Sequence, residues 1–185
     1  MKIALGTAQF GLDYGVANTS GRVSENTAKE IIEQARKLGV DTLDTATAYG
    51  ISEQVLGNIG VDAFKVVSKI PPSIDTTDTP EVWIKDCVEQ SLSRLGVKSL
   101  YGVLLHRPME LLQTNGFQIY EALLEIRQSG IVKKIGVSVY DPDELDMLAE
   151  FNFDIVQVPM NILDRRMENT GWLGQASGRR MEVHV

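Results

Sequence analysis

The sequence predicts an α/β fold with a parallel sheet, of (β/α)8 TIM-barrel type but incomplete, with about the first six to seven strands present. Three observations carry that reading. Short apolar runs alternate with helical patterns about seven times along the 185 residues, the order of a parallel sheet joined by helical crossovers. The apolar runs are near-continuous, as in strands covered on both faces. A doubly wound dinucleotide-binding fold would show a G-x-G-x-x-G turn after its first strand, whereas here Gly6 and Gly11 are separated by Thr-Ala-Gln-Phe.

The elements follow in order. Ile3 to Leu5 is the first strand. Ser24 is an N-cap residue before a helix with Ala28, Ile31, Ile32, Ala35 and Leu38 on one face, stopped by Gly39. Thr42 to Asp44 reads as the second strand, Ser52 to Ile59 as a short helix and Phe64 to Lys69 as the third strand. Thr79-Pro80-Glu81 supplies a cap, a first-turn proline and an acid at the positive dipole end of a helix running to Leu95, with Gly96 beyond it. Leu100 to Leu105 is the fourth strand, Gly116 to Ser129 a helix, and Lys134 to Val139 the fifth strand. Asp141-Pro142-Asp143-Glu144 opens the next helix. Ile155 to Val158 and Met181 to Val185 are the sixth and seventh strands.

With 43% hydrophobic residues the chain can bury one sizeable core, so residues 1–185 are expected to form a single barrel domain. Such a barrel typically takes about 250 residues, and the last run here is only the seventh strand, so the expectation is a barrel truncated at its C-terminus. The open sheet edge that this leaves invites self-association. The net charge of −7 and a pI of about 4.9 argue against nucleic acid as a partner. No polybasic run or apolar span suggests a membrane. One cysteine, Cys87, cannot form an intrachain disulfide and reads as a buried thiol in a reduced, cytoplasmic setting.

Chemistry in a barrel sits at the C-terminal strand ends. Asp44 ends the second strand, with Tyr49 in the loop beyond; Lys69 ends the third and His106 follows the fourth. Taken singly, each has a structural reading: Asp44 as a cap, Tyr49 as a loop aromatic, Lys69 as a solvated terminus, His106 as a core histidine. Together they form an acid–base group. A lysine ammonium beside a tyrosine favours the phenolate and lowers its pKa, an aspartate orients the lysine, and the tyrosine becomes a proton donor near neutral pH. With two histidines and one cysteine, no metal site is expected.

At these residues the chain resembles the aldo-keto reductases. Leu43-Asp44-Thr45-Ala46-Thr47-Ala48-Tyr49-Gly50 resembles the family's first signature, Val67-Ser68-Lys69-Ile70 its lysine strand, and Leu104-Leu105-His106-Arg107-Pro108 its histidine strand. Ile135-Gly136-Val137-Ser138 and Val156-Gln157-Val158-Pro159 resemble the strands that hold the nicotinamide carboxamide through Ser138 and Gln157. The opening Leu5-Gly6-Thr7-Ala8-Gln9-Phe10-Gly11 is similar to the first strand and loop, which puts Gly6, Thr7, Ala8 and Asp44 on the cofactor side. The resemblance implies NADPH, or less often NADH, and hydride transfer to a small-molecule aldehyde or ketone. In that reading Tyr49 is the general acid, Asp44 and Lys69 tune it, and His106 positions the substrate oxygen.

The departures are Val139, where the family usually has Asn after the Ser, and Met160, where an aromatic is common. The alternative readings are an inactive cofactor-binding or interaction fragment of such a barrel, and a lyase using Lys69 as a Schiff-base amine. Arg165, Arg166, Arg179 and Arg180 read as surface charges, although the first two could reach a substrate or phosphate.

Overall fold

A computed structural model describes residues 2–72 and 79–185. Its described residues form a seven-stranded sheet in sequence order: β1 (Ala4–Gly6), β2 (Thr42–Asp44), β3 (Lys65–Ile70), β4 (Leu100–Leu105), β5 (Val132–Ser138), β6 (Ile155–Gln157) and β7 (Glu182–His184). Every neighbouring pair is parallel. Each connection carries a helix, or a helix and a loop: α1 (Ala8–Gly11) and α2 (Glu25–Lys37) after β1, α3 (Ser52–Ile59) after β2 and α4 (Pro80–Leu95) after β3. A 3₁₀ turn (Pro108–Leu112) and α5 (Gly116–Gln128) follow β4, α6 (Pro142–Met147) follows β5, and α7 (Arg166–Asn169) and α8 (Trp172–Gly178) follow β6. This is an incomplete (β/α)8 barrel.

The local chemistry that starts and stops these helices is mostly what the sequence indicates. Ser24 caps α2 by accepting from the Thr27 N–H at 3.1 Å. Asp141 and Glu144 close a reciprocal capping box on α6. Gly96, in the left-handed region at φ 67°, ends α4. Thr79 precedes α4 in an extended conformation, but its side chain makes no cap hydrogen bond. The expected strand bounds at β1, β3, β5, β6 and β7 shift by one or two residues. Four short pieces, α1, α7, α8 and the 3₁₀ turn, were not among the expected elements.

The main core lies between the sheet and its helices. It joins Leu43, Val66, Val103, Leu105, Ile135, Val137 and Val156 to Ile32, Leu56, Ile84, Leu123 and Trp172, all buried. A smaller cluster of Val67, Leu104 and Ile155, with Tyr101 against it, fills the lumen side. The lumen is therefore packed at its middle, and polar groups collect above and below that plug.

Candidate active site

Asp44 is the last residue of β2, Lys69 the penultimate residue of β3, and His106 directly follows β4. The ladder runs past the strand ends and carries the next loop with it. Thr45 N–H donates to Val67 O at 2.9 Å, and Thr47 N–H to Lys69 O at 3.2 Å. Two tight turns then fix Tyr49, whose N–H donates to Ala46 O while its own carbonyl accepts from Ser52 N–H, both at 3.0 Å. Gly11 backs onto this turn so closely that a Cβ there would lie 1.7 Å from Tyr49 O. Gly50, at φ +56°, allows the chain to turn away.

Lys69 is the hub. Its Nζ donates to Asp44 Oδ1 and Oδ2 at 2.7 and 2.8 Å and to Thr45 O at 3.1 Å, and lies 3.3 Å from Tyr49 Oη. The side chain is 1% exposed and that of Asp44 15%. The Nζ also sits 4.9 Å from the centre of the Tyr49 ring. His106 meets Tyr49 edge to face at 6.1 Å between ring centres. The four residues singled out from the sequence are thus brought together in one cluster.

Electrostatics at this cluster run against one expectation. Burial, and then the negative charge of Asp44, push Tyr49 above the ordinary tyrosine value. The sequence reading had Lys69 pulling it down. The reason is that Lys69 gives its charge to Asp44 at 2.7 Å, so the pair offers little net positive field to a half-buried phenol. Burial likewise lowers Lys69, against the raising effect of Asp44. Burial and then the Lys69 ammonium lower His106, which keeps its imidazole neutral at pH 7. The resting cluster therefore holds a tyrosine that retains its proton beside a neutral histidine.

Beneath it lies a platform of hydroxyls. Thr7 Oγ1 donates to Asp44 O at 2.8 Å. Ser52 Oγ lies 2.9 Å from Thr7 O and 3.0 Å from Thr7 Oγ1, and Thr45 Oγ1 donates to Ser52 Oγ at 3.1 Å. All three are fully buried. The Thr7 side chain, expected among the cofactor contacts, is committed to this platform. Gly6 has open space around its Cα, and Ala8 opens α1. Glu53, buried, accepts from Ser68 Oγ at 2.6 Å and from Arg94 Nε at 2.7 Å, which ties α3 to β3 and α4. Sequence reasoning missed Ser52 and Glu53; the signal was a polar pair at the start of a short helix directly after Tyr49.

A second polar row crosses β5, β6 and β7, where the register pairs Ser138 with Gln157 and Gln157 with His184. Ser138 Oγ donates to Gln157 Oε1 at 3.4 Å. Gln157 Nε2 reaches back across the lumen to Asp44 Oδ1 at 2.9 Å. His184 Nε2 meets Glu182 Oε1 at 2.8 Å, while its Nδ1 is buried with no hydrogen-bond partner. Glu182 further accepts from Tyr101 Oη at 2.8 Å and from Lys134 Nζ. Burial opposes its charge, but the hydrogen bonds from His184, Lys134 and Tyr101 prevail and hold its carboxyl down at about 2. Val139, next to Ser138, is buried and offers no polar side chain. The strand pattern Glu-Val-His puts Glu182 and His184 on one face, which was the legible signal for them.

Arg165 pairs with Glu168. Arg166 pairs with Asp164 and Asp141 and donates to Tyr140 O. Both arginines are engaged in loop ion pairs, and Arg179 and Arg180 are exposed.

Comparison with known proteins adds a second line. The profile of the aldo/keto reductase family matches residues 2–174. Aldo-keto reductase YhdN of Bacillus subtilis is 29% identical over 185 aligned residues, covering 91% of this chain and 53% of its own length. A crystal structure from Pseudomonas aeruginosa, assigned to the aldo-keto reductases, superposes with a TM-score of 0.79 at 27% identity, covering 97% of this chain and 70% of that one. An aldo/keto reductase from Klebsiella pneumoniae in complex with NADP and acetate shares the fold, with a TM-score of 0.76 at 21% identity over 97% of this chain and 61% of that one. The chain spans about half the length of the curated relatives it matches.

Proposed function

The chain belongs to the aldo/keto reductase family, and from that premise we propose that its strand ends reduce an aldehyde or ketone with NADPH, NADH being the alternative cofactor. The observation that carries the reading is the single ammonium of Lys69 within hydrogen-bond reach of both Asp44 and Tyr49.

The residues fit a nicotinamide cofactor. A primary carboxamide needs a donor and an acceptor side by side, and Ser138 and Gln157 supply both in one row. The unpartnered nitrogen of His184 lies in the same row. When bound, the nicotinamide supplies the hydride. Asp44, Ser138 and Gln157 hold it at the strand ends, with the backbone at Gly6, Thr7 and Ala8 on the β1 side. The protein's part in the chemistry is then to place a carbonyl oxygen and to give it a proton. His106, neutral, donates a hydrogen bond that orients the oxygen. Tyr49 passes its proton to that oxygen as negative charge develops there, and Lys69 stabilises the phenolate left behind. Tyr49 holds its proton in the resting state, as a general acid must, while its raised pKa works against giving that proton up.

Cys87, expected to be buried, is only part-buried, and burial pushes its thiol up to about 11. As the one cysteine of the 185 residues it has no disulfide partner among them, which fits a reducing, cytoplasmic setting. Among the described residues no helix is long and apolar enough to cross a membrane.

The test is NADPH consumption with 4-nitrobenzaldehyde, comparing the protein with Tyr49→Phe. Loss of a general acid costs roughly 10²–10⁴-fold in turnover, with cofactor affinity unchanged. Retention of the rate by Tyr49→Phe would remove Tyr49 from the reaction.

A further inference from the structure

We propose that His184 is an additional cofactor-binding residue, whose Nδ1 accepts a hydrogen bond from the carboxamide N–H of the nicotinamide. The proposal rests on the cofactor reading above and names one more group of the same site.

Four observations lead to it. First, the register sets His184 beside Gln157, and Gln157 beside Ser138. Side chains of register partners on adjacent parallel strands point the same way, about 4.8 Å apart. The three therefore form one row on the lumen side.

Second, the ring is oriented from below. Glu182 is held by Tyr101 and Lys134 and can only accept, so the ring nitrogen facing it at 2.8 Å, Nε2, carries a proton. In the neutral imidazole this leaves Nδ1 as an acceptor, with its ring direction fixed by the carboxylate. The same arrangement orients ligand-binding histidines generally.

Third, Nδ1 is the one buried side-chain polar atom among the described residues that has no partner. Its row-mates already have partners within the protein: Gln157 gives one amide N–H to Asp44 and receives Ser138 on its carbonyl, which leaves it a second N–H and a second lone pair for the carboxamide. What Nδ1 lacks is a donor, and a primary carboxamide brings two N–H groups. Buried acceptors are rarely left open without a ligand or water to fill them.

Fourth, Val139 puts an apolar side chain beside Ser138, so β5 contributes a single side-chain hydroxyl to the row. An acceptor from β7 restores a third side-chain contact to the carboxamide from the opposite flank.

The experiment is a binding cycle on the protein without turnover. Dissociation constants are measured calorimetrically for NADP and for its 3-acetylpyridine analogue, in which a methyl ketone replaces the amide and no N–H remains. They are compared in the unsubstituted protein, His184→Gln and His184→Asn. Glutamine can reach Glu182 but has no atom at the Nδ1 position, whereas asparagine places a polar atom at Nδ1 and gives up the Glu182 contact. The expected result is that His184→Gln loses about three- to tenfold in NADP affinity and little for the analogue, while His184→Asn keeps most of the preference for NADP.

Equal loss for both cofactors in His184→Gln would make His184 a packing residue and overturn the proposal, as would unchanged NADP affinity. Should glutamine not be tolerated in the fold, loss of the preference in His184→Asn overturns it. Failure of the unsubstituted protein to bind either dinucleotide would bring down the cofactor reading itself, and this inference with it. That outcome differs from one in which NADP binds and His184 is indifferent.

Discussion

Two residues show how charge is handled in this barrel. Lys69 is almost wholly enclosed, with Asp44 as its counter-ion. Replacing Lys69 by methionine strands the carboxylate with only the Gln157 amide for compensation. Unpairing a buried ion in this way costs roughly 3–5 kcal/mol. Urea denaturation of Lys69→Met should show a loss of that order, and the double variant with Asp44→Asn should recover part of it. Glu182 gives a pH signature. Its carboxyl falls from the ordinary 4.5 to about 2 on folding. The unfolded chain therefore takes up the proton first, and the stabilisation is complete above about 4.5 and disappears as pH falls through 2. Melting curves should place Glu182→Gln below the unsubstituted protein at pH 7, with the gap constant down to pH 4.5 and closing below it. A gap that persists unchanged at pH 2 would mean that packing, not charge, is lost. Residue types at the strand ends were enough to single out Asp44, Tyr49, Lys69 and His106 as a group, and the structure brings them into one cluster. The direction of the Tyr49 shift was not, because it depends on how fully Asp44 neutralises Lys69, and that is a matter of ångströms.

At the scale of elements, the tyrosine loop is positioned by a helix that the sequence does not announce. The four residues of α1 contain no side-chain cap and end in glycine, yet Gly11 lies directly under the Tyr49 carbonyl. Gly11→Ala must push backbone against backbone. It should cost roughly 1–3 kcal/mol in stability and a larger factor in turnover, since the displaced turn is the one carrying Tyr49, the proposed proton donor. Thermal melts and aldehyde reduction measured on the same preparation separate the two effects, and an alanine variant with full turnover would show that the loop can adapt. Regular elements were legible wherever end signals and periodicity agreed: Ser24, Gly96 and the run Asp141-Pro142-Asp143-Glu144 mark helix ends that the structure reproduces. Helix α8 was not legible because it carries two glycines in seven residues, poor helix formers. It forms because Trp172 and Ala176 are buried against the sheet, a tertiary effect that no local pattern displays.

At the scale of the molecule, β1 and β7 each pair on one side only among the described residues. Beside β1, Ile3, Leu5, Ile31, Ala35, Leu38 and Val40 line an apolar cleft of about 560 Å³. Ile3 is 67% and Leu38 81% exposed, an unusual pairing of a free strand edge with an uncovered apolar patch. We propose that residues 1–185, taken as an isolated polypeptide, associate through this patch. Sedimentation velocity over a concentration series should show that association, and Leu38→Glu should weaken it. A monomer at all concentrations would refute it.

The hydrogen bond from Gln157 to Asp44 joins residues 113 apart in the chain, and it has a consequence for the order in which the protein is made. A ribosome releases the aspartate, tyrosine, lysine and histidine well before it releases β6. For that interval the nascent chain holds all the groups proposed to handle the proton, while the Asp44 carboxylate still lacks its distant amide partner. Contacts of such long separation form late and slow folding. Completion of the Asp44–Gln157 contact therefore waits for the sixth strand, although the groups proposed to handle the proton are synthesised earlier.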